Sequence, residues 1–279
     1  MYIALIILIP VIGALLYFYV QSHGMHSMIW NEVRELAEGS PVEPDSVAQA
    51  DDLPAPLRRY LSFAIDEGRG NAGFVRLRHG GTFRLQPDAD WLAIRGEEYF
   101  HASAPGFVWT GVVRPNPLAW VRARDKYIGG RGEMLIRLRG AVTLGCSTGA
   151  EMDRSSLLRY LAEMPWFPTA FRAVEGLQWI AVDDHTVEAV LAHAGETVTG
   201  RFTVGDTGEI TAFTSQDRFR EVDGKQVRTV WKGAYRNYRE VDGMRLPHDV
   251  EVTWELEDGD FPYARFQVTG IDFDVPAPY

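Results

Sequence analysis

The chain has 279 residues, of which 46% are hydrophobic, with eight tryptophans and a formal net charge of −10. That much apolar material suffices for one large or two small packed domains and excludes a mostly disordered chain. The acidic balance, with lysine only at Lys126, Lys225 and Lys232, speaks against nucleic acid as a partner, because phosphate binding needs a concentrated basic surface.

In chain order, Met1 to Val20 carry no charged side chain, a run of about 30 Å as a helix, long enough to cross a bilayer core. A cleaved signal peptide would show a basic start and a small-x-small cleavage site, and neither is present. Residues 1–20 are therefore read as an uncleaved transmembrane anchor in contact with the lipid bilayer. The location that follows is the cell membrane, single-pass, with the domain on the extracytoplasmic side. Residues 21–52 read as a juxtamembrane helix, with Ile29, Val33, Leu36 and Ala37 at helical spacing, followed by a linker rich in Pro and Asp.

Residues 53–279 read as a single β-rich domain with helices near 56–66 and 154–164. In the first helix Leu57, Tyr60, Leu61 and Ala64 share one face, and Gly68 lies beyond its end. The period then changes to two. Val75 and Leu77 alternate with Arg76 and Arg78, and Met134, Ile136 and Leu138 alternate with Leu135, Arg137 and Arg139, as in half-buried strands. With turn signals at Gly80-Gly81, Gln86-Pro87-Asp88, Pro115-Asn116-Pro117 and Gly129-Gly130, residues 74–144 predict about five antiparallel strands.

The segment SSLLRYLAEMPWFP at 155–168 interrupts this pattern. Leu157, Tyr160, Leu161 and Met164 form one apolar helix face, with Arg159 and Glu163 off it. Asp153 or Ser155 is the expected cap, Pro165 the expected end, and Pro168 is expected to keep the helix from resuming. After it, Asp206-Thr207-Gly208, Asp223-Gly224, Asp242-Gly243 and Asp258-Gly259 punctuate a second meander that runs to about Asp274. Helices are too few for crossovers, which excludes a parallel α/β fold. The expected fold class is mainly β (α+β), a large curved antiparallel sheet or half-barrel around a central helix, preceded by the N-terminal transmembrane helix.

Three runs, LPAPLRRYL at 53–61, APGFVWTG at 104–111 and LLRYLAEMPWFPTAF at 157–171, resemble an uncharacterised bacterial protein family of unknown function over most of residues 53–279. That resemblance brings no catalytic residues. A long sheet curled around a helical plug, closing with YREVDGMRLPHDVEV at 238–252, is similar at the level of fold to periplasmic lipoprotein-carrier half-barrels, which hold acyl chains. The resemblance implies a lipid or lipoprotein ligand between sheet and helix.

Candidate chemistry is sparse. Gly145-Cys146-Ser147-Thr148-Gly149 matches G-x-S-x-G between a strand and a helix, and Asp183, Asp184, His185, His193 and His248 follow in Ser, Asp, His order. A serine hydrolase using Ser147 is the enzyme reading, and a turn at a strand end is the stronger one, because the crossover helices of such enzymes are missing. Cys146 is the only cysteine, so a disulfide and a cysteine-based zinc site are excluded. No HExxH or EF-hand pattern is present, and neither metal nor cofactor is expected. Glu163 reads as an exposed carboxylate facing Arg159 at i−4, with a partly buried carboxylate of raised pKa as the alternative. The aromatic set supports a binding reading. The expected ligand-binding residues are Phe107, Trp109, Leu157, Tyr160, Leu161, Met164 and Trp166, contacting a lipid or other hydrophobic small molecule. A structural partner-binding domain with a packed interior is the third reading.

Overall fold

The computed structural model describes the backbone of residues 2–38, 53–116 and 119–279 and, except for some within 2–15 and 115–119, their side chains. After helix α2 (Ala55–Ala64), the first meander is β1 (Phe74–Phe83), β2 (Leu92–His101), β3 (Phe107–Asn116), β4 (Ala119–Ile128), β5 (Arg131–Leu138) and β6 (Val142–Ser147). The second is β7 (Leu177–Ala181), β8 (Thr186–His193), β9 (Glu196–Val204), β10 (Ile210–Val222), β11 (Lys225–Val241), β12 (Met244–Leu256) and β13 (Gly259–Phe273). Among the described residues they form one 13-stranded sheet in the order β6-β5-β4-β3-β2-β1-β13-β12-β11-β10-β9-β8-β7. Each neighbour pair is antiparallel, and β1 against β13 joins the two meanders. The strand twist accumulates over so many strands that the sheet curls into a half-barrel.

The hairpins form where Asp-Gly pairs supply positive φ. Asp223 and Gly224 have φ of 50° and 74°, and Asp242 and Gly243 have 49° and 72°, as tight two-residue turns require. Gly80-Gly81 is not a turn. Both residues lie inside β1, just after a register shift between Arg78 and His79. A Cβ on Gly81 would stand 2.0 Å from the Arg265 carbonyl oxygen, so glycine here permits close approach of β13.

Between the meanders lies α3 (Ala150–Glu163), which passes into a 3-10 turn over Met164–Trp166. A four-residue helix, Ala170–Ala173, does resume after Pro168. Asp153 does not cap α3. It accepts hydrogen bonds from the backbone of Gly132 (2.7 Å) and from Arg131 (2.9 Å), tying the helix start to β5. Ser155 accepts from the Phe219 backbone N–H at 3.1 Å. The expectation of a single apolar face is also corrected. Leu157, Leu158, Arg159, Tyr160, Leu161 and Ala162 are all buried, because the curled sheet surrounds the helix with β4, β5, β9 and β10. Tyr160 donates to the His101 carbonyl (2.9 Å) and Tyr235 to that of Ala162 (2.6 Å). Tyr127 Oη of β4 meets His193 Nδ1 of β8 at 2.9 Å.

The other long helix, α1 (Tyr2–Glu38), packs outside the sheet. Met25, Ile29, Val33 and Leu36 form a stripe buried against Phe74, Tyr99 and Val108. Glu32 pairs with Arg124 (3.2 Å) and Lys126 (2.9 Å) of β4. Farther up the helix, Phe18 lies under the Arg139 guanidinium, 5.7 Å from ring centre. Among the described residues no helix is long and apolar enough to cross a membrane. The expectation of an anchor over residues 1–20 rests in part on the side chains of residues 1–11, which lie outside the described ones; so does the linker at 39–52. Glu32→Ala leaves the buried Arg124 with Glu133 as its remaining acidic partner. The expected cost is about 1–3 kcal/mol, read as faster amide exchange along α1, and unchanged exchange would count against this docking.

Candidate functional site

The curl of the sheet leaves a cavity of about 450 Å³ beside α3, within the roughly 300–1,000 Å³ of ligand pockets. Its walls are Leu92, Ile94, Val113, Val121, Val250 and Val252 among others, from both meanders. Leu85 and Leu144 lie at its opening, 72% and 58% exposed.

Of the expected binding residues, Trp109 and Trp166 line the cavity. Phe107, Leu157, Tyr160, Leu161 and Met164 are fully buried behind them in the main core. Their apolar character predicts burial equally well whether or not space remains beside them, which is why sequence periodicity did not separate lining from packing. Trp166 is fixed by its indole N–H donating to the Pro247 carbonyl at 3.0 Å. Trp109 donates to His79 Nε2 at 2.8 Å, while His79 Nδ1 faces the Gly80 carbonyl at 3.3 Å. That network assigns a neutral ring, and burial lowers the His79 pKa to about 4. A Cβ on Gly96 would stand 2.2 Å from His79 Nε2, so glycine makes the room for this pair.

One end of the cavity is charged. Arg159, 9% exposed, donates to Glu163 (2.8 Å), Asp125 (2.7 Å) and Glu98 (2.7 Å). Its guanidinium also lies over the rings of Phe107 (4.9 Å) and Trp109 (5.2 Å), a favourable cation–π arrangement. Burial opposes the Arg159 charge, but Glu163, Glu98 and Asp125 together hold it protonated well above the usual range. Burial pushes the Glu98 carboxyl well up against the pull of Arg159, and neighbouring Glu163 raises it further. Glu163 is pushed up by the same burial, opposed by Arg159. Glu163 is not the exposed carboxylate expected, although its i,i+4 pairing with Arg159 does form. Glu98 and Asp125 were absent from the sequence expectations. A signal existed: Asp125 follows Val121 and Ala123 at alternate positions, on the inward face of its strand.

Ser147 closes β6, where it faces Met134 of β5. The strained backbone of this motif lies at Gly149, with φ of 106°, and not at Ser147. The histidines are engaged elsewhere. His185 Nδ1 faces the Val204 carbonyl (3.1 Å), His193 Nδ1 faces Tyr127, and His248 Nδ1 faces the Leu246 carbonyl (3.0 Å). A second depression of about 700 Å³, lined by Phe63, Glu209, Arg236 and Arg245 among others, is more open and of mixed polarity. No group of three or more potential metal ligands occurs among the described residues.

A curved antiparallel half-barrel, filled by a central helix and retaining an apolar cavity with a charged end, defines the class of protein. The chain belongs to a family of unknown function, DUF6544, whose model matches residues 43–266. No curated protein matches it. Among solved structures it is similar to a LolA-superfamily protein from Nitrosomonas europaea, at 10% identity and a TM-score of 0.43, covering 78% of this chain and 91% of that one. It is also similar to a putative outer membrane lipoprotein-sorting protein domain from Vibrio parahaemolyticus (10% identity, TM-score 0.44, 81% and 94% covered). A third is a DUF1329 family protein from Desulfovibrio piger (13% identity, TM-score 0.45, 73% and 87% covered).

Proposed function

We propose that this chain is a membrane-anchored envelope protein that holds a lipid or other hydrophobic ligand between its curved sheet and α3. The observation that carries the reading is the apolar cavity of about 450 Å³ beside α3. Trp109 and Trp166 contact the ligand directly, and Phe107, Leu157, Tyr160, Leu161 and Met164 form the packed layer that holds those two in place. The uncharged run at residues 1–20 supports an anchor, with the domain 53–279 outside the cytoplasm.

The reading is tested by native mass spectrometry of the full-length chain released from detergent. Bound lipid is expected on the wild type. Ala123, half-buried on the cavity wall, replaced by Trp should fill the space and reduce lipid occupancy by about tenfold or more. A wild type that carries no lipid, even after incubation with one, would overturn the reading.

A further inference from the structure

At the charged end of the cavity two carboxylate oxygens, Asp125 Oδ1 and Glu163 Oε2, are buried without a hydrogen-bond partner among the described residues. Asp125 is 1% exposed and lines the cavity. Its Oδ2 accepts from Arg159, whereas its Oδ1 is buried without a hydrogen-bond partner among the described residues. A buried carboxylate oxygen left in this state is unfavourable, and the group that relieves it must be a donor.

The other polar groups at this end are largely engaged within the fold. The three guanidinium nitrogens of Arg159 are each committed to a carboxyl, to Glu163, Asp125 and Glu98, and its planar faces meet aromatic rings. Arg218 lies over the Trp231 ring at 4.4 Å and points toward the Ser155 carbonyl at 3.5 Å. His79 Nε2 is occupied by Trp109. An incoming carboxylate would face Asp125 and Glu163 at close range in a medium of low dielectric, where like charges repel strongly.

We propose that the charged end of the cavity receives a hydrogen-bond-donating head group, a hydroxyl or a primary ammonium, which donates to Asp125 Oδ1 while its single hydrocarbon chain lies along the apolar walls. The ligand is then an amphiphile of the monoacylglycerol or long-chain amine kind and not a free fatty acid. The inference rests on the cavity being a ligand site. It adds which head group the site selects.

Oleic acid, monoolein and oleylamine share one chain and differ only in the head. The full-length protein in detergent is incubated with an equimolar mixture of the three, and the adducts are counted by native mass spectrometry. Monoolein or oleylamine adducts should exceed those of oleic acid by about tenfold, the factor that one well-formed charge-assisted hydrogen bond supplies. Which of the two leads tells hydroxyl from ammonium. Asp125→Asn keeps the side-chain shape but can turn an N–H toward the cavity, and it should bring the three within about threefold. The wild-type ratio alone decides the matter if the variant does not fold. Equal adducts of all three, or an excess of oleic acid, would overturn the head-group selection and leave the cavity reading standing. No adduct of any of them would overturn both.

Discussion

Replacing Arg159 by Met is expected to destabilise the protein by about 3–5 kcal/mol, the usual consequence of removing one partner from a buried ion cluster. The cation is 9% exposed and is held by Glu98, Asp125 and Glu163, of which Glu98 and Asp125 are each 1% exposed. Met fills most of the space without supplying charge, so the carboxyls lose the group that opposes their desolvation. The deficit should be largest at neutral pH and shrink toward acid, where the carboxyls take up protons. Thermal or urea denaturation of the full-length chain in detergent, followed by tryptophan emission at several pH values, measures both features. A loss below about 1 kcal/mol would mean that Arg159 is solvated and the cluster is open to water.

The second large effect belongs to Glu98. Its folded pKa is raised well above 4.5, first by burial. A carboxyl of this kind contributes stability that is fully present below its unfolded pKa and is lost as pH rises through the raised folded value. Within that window each pH unit withdraws about 1.4 kcal/mol. Glu163 is raised in the same direction and adds to the same slope. Glu98→Gln preserves an acceptor for Arg159 while removing the titration. The variant should therefore show a flatter stability profile above about pH 4.5 and equal or exceed the wild type at the alkaline end. Parallel profiles for the two proteins would show that Glu98 ionises without penalty.

Much of the architecture is legible in the residues themselves. Asp223-Gly224 and Asp242-Gly243 mark turns because two successive positive φ values leave little choice of residue. Ile29, Val33 and Leu36 announce the buried stripe of α1 by spacing alone. The half-barrel follows from two meanders with one helix between them. Where the reading fails, the cause is tertiary. Arg159 and Glu163 have the spacing of a solvated helical pair, and only the wrapping of β2, β4 and β10 around α3 turns that pair inward. Gly80-Gly81 looks like a turn until the approach of β13 is known. In the same way Phe107 and Trp109 are alike in sequence, and only the position of the empty space makes one a wall and the other its backing.

Strand β4 shows a further consequence of this arrangement. Its consecutive residues Arg124 and Asp125 project to opposite faces, the first to Glu32 of α1 and the second to Arg159 of α3. A slip of β4 by one residue would exchange them, driving a guanidinium into the apolar cavity and setting a carboxylate against Glu32. The two ion pairs thus make the neighbouring registers of this strand electrostatically forbidden. They keep a long meander, otherwise rich in interchangeable Val, Ala and Leu, from settling into a near-copy of itself.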